Sequence, residues 1–129
     1  MILTSDKILQ ADDLKRKKID VPEWGGEIYV REMTGIESLE FDAWLADNKD
    51  NKKVLAVGWH PLMVTLCACD DKGERLFSMA DFEAIRKKNK TVLERIADAA
   101  IKLNKLGADD LEEEAKNSQG KASLASVTG

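Results

Sequence analysis

The spacing of apolar residues changes along this chain, and each change marks an element. Ile19 and Val21 alternate with polar neighbours, and so do Ile28 and Val30. That strand rhythm, interrupted by "PEWGG", predicts an antiparallel hairpin turning at Gly25 and Gly26, both of which can take positive φ. At "TGIE" the rhythm becomes helical. Thr34 can cap a helix while Glu37 reaches back to the cap's amide. On this helix Ile36, Leu39, Ala43 and Ala46 share one side, and Phe41, Trp44 and Leu45 share nearly the opposite one. A surface helix needs only one such side for its own core. The other is either sandwiched within the fold or kept for another chain.

The run "VLAVGWHPLMVTLCACD" is apolar nearly all round, with Val57, Val64 and Ala68 opposite Leu55, Trp59, Leu62 and Leu66. It predicts a central helix. Pro61 predicts a kink or restart near "GWHP", with the helix secure from Pro61 to Cys69. "DDKGERLF" reads as a turn and a short extended piece. Ser78 with Asp81 caps a short helix running to about Arg86 and closed by "RKKNK". From Thr91 a longer helix runs to Leu106 and stops at Gly107. Its stripe is Val92, Leu93, Ile96, Ala99, Ala100, Leu103 and Leu106, and Ile101 stands off the stripe among residues facing water. "SDKILQA" predicts a short helical turn near the start. After Gly107, "ADDLEEEAKN" is compatible with a charged helix, and "SQGKASLASVTG" has the composition of a disordered end. The pattern therefore predicts an α+β, predominantly α-helical fold: an N-terminal β-hairpin packed on a small helical bundle, with a disordered C-terminal tail. Residues 1–117 form one domain and residues 118–129 a flexible tail.

Composition narrows what such a domain does. The 129 residues are 43% hydrophobic and 34% charged, a globular balance within the size of one domain. A net charge of −4 argues against a phosphate-binding face, so no nucleic-acid partner is expected. The basic run Lys15–Lys18 reads as a solvated strand edge that discourages pairing with other chains. The first residues lack a basic start followed by a long apolar run, so neither a signal peptide nor a membrane partner is expected, and the protein is placed in the cytoplasm. Cys67 and Cys69, two apart in an apolar run, read as reduced, buried thiols. His60, the only histidine, has no serine, cysteine or second histidine at a useful spacing and reads as structural. Asp70, Asp71 and Glu74 around Gly73 lack the ligand spacing of a calcium loop. With no nucleophile and base, metal cluster or phosphate loop in view, no enzyme activity, no cofactor and no metal site is expected.

The order of motifs is then the informative object. "ILQADDLK", "VPEWGG", "VREMTGIE", an apolar helix ending in "CDDKGERLF", a helix ending in "LNKLG" and an acidic tail follow one another over residues 6–117. This order resembles the tail assembly chaperones of long-tailed bacteriophages. The chain departs from that pattern at "VLAVGWHP", where Pro61 stands in place of a continuous polar-faced helix. The resemblance implies a protein that binds the tape-measure protein, helps recruit tail tube protein, acts in the host cytoplasm and is absent from the finished virion. A structural tail or head-completion component retained in the virion is the alternative. The resemblance also implies a longer product made by ribosomal frameshifting, for which Gly120-Lys121 is the candidate position. From the helix wheel, Phe41, Trp44 and Leu45 are the candidate contacts for self-association into a homo-oligomer or for partners. Trp24 at the hairpin tip and Ile101 join them.

Overall fold

The alternating segment forms its hairpin. In the computed structural model, which describes residues 1–105, β1 spans Arg16–Val21 and β2 spans Gly26–Arg31. They pair antiparallel, from Arg16 opposite Arg31 to Val21 opposite Gly26. Ile19, Val21 and Val30 are buried against the helices, while Lys18, Asp20 and Glu27 stay in water. The connection is a 3-10 turn, Pro22–Trp24, closed by the Gly25 N–H donating to the Pro22 carbonyl at 3.0 Å. Gly25 takes a left-handed φ of 81°. Gly26 does not, because it already lies in the strand, so the expectation of positive φ holds for Gly25 alone.

Local capping sets the helix starts. A short α1, Ser5–Gln10, follows Thr4, whose hydroxyl accepts from the Lys7 amide. α2, Gly35–Asn48, opens with the capping box that Thr34 and Glu37 predict. α3, Lys52–Cys67, is capped by Asn51 and runs unbroken through Pro61. The restart expected there is absent. Proline removes one helical hydrogen bond and costs about 3 kcal/mol in an isolated helix, but every residue from Pro61 to Cys69 is buried, and that tertiary packing outweighs the local loss. β3, Ala68–Cys69, follows α3 without a linker and pairs with β2, Tyr29 opposite Cys69 and Val30 opposite Ala68. The sheet order is therefore β1-β2-β3.

After β3 the chain turns at Asp70, whose Oδ1 accepts from the Lys72 and Glu74 amides at 2.9 Å each. Ser78 and Asp81 form their capping box on a 3-10 turn, Met79–Asp81, which continues into α4, Phe82–Ile85. α5, Lys90–Leu103, is capped by the Asn89 side chain. It ends at Asn104, followed by Lys105 in the left-handed region with φ 59°. Leu106, the expected stop at Gly107, the tail and Gly120-Lys121 lie outside the described residues.

α3 is the centre. It packs along α5 on one side and against α2 and α4 on others, while the inner face of the hairpin rests on α5 and α3. Leu62, Met63, Leu66, Val92 and Ile96 fill the middle of this core. Beside it lies a charged network that the sequence pattern does not announce. Arg31 reaches Glu37 at 3.0 Å, and Arg75 reaches Glu37 at 3.6 Å and Glu40 at 2.8 Å. Arg75 Nε also donates to the Thr65 carbonyl at 3.2 Å. Strand, helix and the segment after β3 are joined here through Arg31 and Glu37, both about 95% buried.

Candidate protein-binding surface

α2 carries apolar residues on both sides, and the structure decides which side is spent on the core. Phe41, Trp44 and Leu45, the contact residues expected from the sequence, are inside, at 4%, 9% and 1% exposure. Phe41 lies 5.5 Å from Trp59 between ring centroids, and Trp44 lies 6.3 Å from Trp59 and 6.1 Å from Phe82 in an edge-on contact. Gly58 of α3 completes the fit, since a Cβ there would overlap the Trp44 indole. Phe41 and Trp44 hold α2 to α3 and Leu45 is buried in the same core, so within this subunit the three do not form a free contact face. The reason is area. Phe41 and Trp44 are the two aromatic residues of α2, and each aromatic side chain removes about 150–250 Å² from water when buried.

The exposed side is the opposite one. Ile36 is 73% and Leu39 69% exposed, and Ala43 and Ala46 beside them are also in water. A second bare apolar feature is the N-terminal arm. Met1, Ile2, Leu3, Ile8 and Leu9 are all exposed, and α1 buries no residue. The arm is rooted next to the start of α2: the Lys15 amide donates to Glu32 Oε1 at 2.8 Å and the Glu32 amide to the Lys15 carbonyl at 3.0 Å. The arm thus leaves the fold beside the loop that leads into α2.

The other expected contacts are placed as follows. Trp24 is partly exposed at the hairpin tip. The tip is pinned by its neighbour: Arg95 grips Glu23 with two hydrogen bonds of 2.8 and 2.6 Å. That grip holds the Glu23 carboxyl down to about 2. Ile101 is half-buried and packs against the core, so it is drawn inward rather than standing among the water-facing residues of α5. Of the basic run, Arg16 approaches Asp12 at 3.6 Å and Lys18 meets Glu27 at 3.3 Å on the exposed β1 edge.

Chemistry-bearing groups are accounted for locally. Cys67 and Cys69 are free and buried, and burial pushes the Cys67 thiol up to about 12. The Asp70 carboxyl is lowered by the amide hydrogen bond from Glu74, so its oxygen is committed to the turn. Among the described residues, no three His, Cys, Asp or Glu converge as metal ligands, and no helix is long and apolar enough to cross a membrane. Sequence reasoning missed Asn104. Its side chain accepts from the Met33 amide at 2.8 Å and donates to the Ala100 carbonyl at 2.9 Å, locking the end of α5 to the loop before α2.

Fold and surface together define a small α+β domain whose most conspicuous surface feature is uncovered apolar side chains. Comparison places it more closely. The sequence model of the phage tail assembly chaperone family matches residues 8–117, and the chain belongs to that family. A solved structure of the bacteriophage HK97 tail assembly chaperone has the same fold, with a TM-score of 0.52 and 20% sequence identity over 80% of this chain and 92% of that one. No curated protein matches the sequence.

Proposed function

We propose that this chaperone works by reversible protein binding, without catalysis. It covers apolar segments of the tape-measure protein, helps bring tail tube protein to it in the host cytoplasm, associates with copies of itself, and leaves before the virion is finished. The observation that carries this reading is the bare side of α2, Ile36 and Leu39, together with the bare arm. A tape-measure chain with long apolar helices would aggregate unprotected, and such a helix can lay its apolar side along another. Covering a side chain of this size contributes about 1.5–3 kcal/mol. Several together suffice for a reversible complex.

The test is co-expression with the tape-measure protein from the same genome, followed by co-purification and light scattering. Ile36→Glu and Leu39→Glu are expected to reduce both the captured tape-measure protein and the oligomeric mass. The thermal unfolding midpoint should barely move, since these side chains contribute little to the subunit's own core. Variants that keep full capture and full mass would refute the surface. Gly120-Lys121 remains the proposed slippage position, because these two residues can be encoded by a run of G followed by a run of A. A longer product detected by mass spectrometry in infected cells is expected, and a single product from unslippable codons would discard it.

A further inference from the structure

α1 is a formed helix of six residues, Ser5–Gln10, none of which is buried. Its own hydrogen bonds do not hold a helix so short in water, where isolated helices below about 12–15 residues are marginal. Packing must supply the rest. Within the subunit no surface does: Ile8 is 55% and Leu9 83% exposed, and Ile2 and Leu3 ahead of them are exposed as well. The bare side of α2 is in the same position, with Ile36, Leu39, Ala43 and Ala46 in water. The arm therefore does not lie on the α2 of its own chain.

The two features match in length and in charge. At about 1.5 Å per residue α1 is about 9 Å long and the stripe from Ile36 to Ala46 about 15 Å, so the helix fits within the stripe. At about 100° per residue, Asp42 borders the stripe on one edge and Asp47 on the other. Among the described residues neither carboxylate is paired with a cation, and Lys7 of α1 is paired with no carboxylate. Each feature thus carries what the other lacks.

We propose that α1 of one copy lies along the bare side of α2 of the next, with Ile8 and Leu9 on Ile36, Leu39 and Ala43, and Lys7 at an acidic edge. The contact joins two different surfaces, so it is head-to-tail, and it adds copies until a ring closes. This rests on the proposed self-association and supplies its interface. Light scattering on the purified protein, with no tape-measure protein present, tests it. The wild-type chain is expected above the mass of two chains. A chain lacking residues 1–11 keeps its stripe and has no arm, while Leu39→Glu keeps the arm and charges the stripe; each alone is expected at the mass of one chain, 14.4 kDa or less. Mixed, they should pair, the arm of the Leu39→Glu chain on the intact stripe of the truncated one, and stop at two chains. Leu9→Cys in a light-isotope chain and Leu39→Cys in a heavy one should give, on mild oxidation, a disulfide joining light to heavy. A truncated chain that keeps the wild-type mass, a mixture that stays at one chain or grows past two, or disulfides joining only heavy to heavy would overturn the proposal. Capture of tape-measure protein by α2 is read in the separate co-purification, so it stands or falls independently of this result.

Discussion

Glu37 shows how much one side chain can be asked to do. Its Oε1 accepts from the Thr34 amide at 2.9 Å, completing the capping box, and its Oε2 holds Arg31 at 3.0 Å in the interior. The first role was legible from the local spacing of Thr34 and Glu37. The second was not, because nothing in "VREMTGIE" says that Arg31 points inward or that Arg75, far along the chain, joins it. Glu37→Ala is expected to destabilise the domain by about 3–5 kcal/mol, the cost of stranding a buried cation, as measured by urea denaturation. Gly58 carries a comparable signal. A glycine inside a helix costs about 1 kcal/mol relative to alanine, and its presence in α3 is explained by the Trp44 ring lying against it. The sequence shows the glycine but not its neighbour, so which side of α2 faces the core was not legible from it.

At the level of elements, signals confined to a few neighbouring residues were the ones the sequence disclosed. Alternation gave the hairpin, and serine or threonine caps gave α2 and the turn before α4, because each depends on contacts within one strand pair or one helical turn. β3 was hidden, since Ala68 and Cys69 continue an apolar run and pair with β2 only through the assembled fold. Pro61 misled for the same reason in reverse: local cost was visible and burial was not. The hairpin's attachment to α5 is likewise long-range, and it makes a pH prediction. The folded Glu23 carboxyl is held to about 2 by Arg95, against about 4.3 when unfolded. A depressed acid contributes its stabilisation above the unfolded value and loses it as pH falls toward the folded one. Stability should therefore decline between about pH 4.5 and 2, and Glu23→Gln should flatten that decline in urea midpoints taken across the range. The pair is about one-third exposed, so salt should weaken the effect.

For the molecule as a whole, the class of fold and, β3 apart, its order of elements were readable, and the division of apolar surface between interior and exterior was the part that needed the three-dimensional arrangement. The arm illustrates that division. Because α1 buries nothing, deleting residues 1–11 should leave the thermal unfolding midpoint unchanged while lowering capture of apolar partners; a large fall in the midpoint would show that the arm belongs to the core. α5 lies at the other extreme. The underside of the hairpin rests on it, Glu23 is gripped by it, and Met33 is tied to Asn104 just beyond it. Synthesis proceeds from the N-terminus, so Ile19, Val21 and Val30 leave the ribosome long before their cover exists. The nascent chain must carry an open sheet until Arg95 and Asn104 emerge, and the domain closes only after most of its length has been translated.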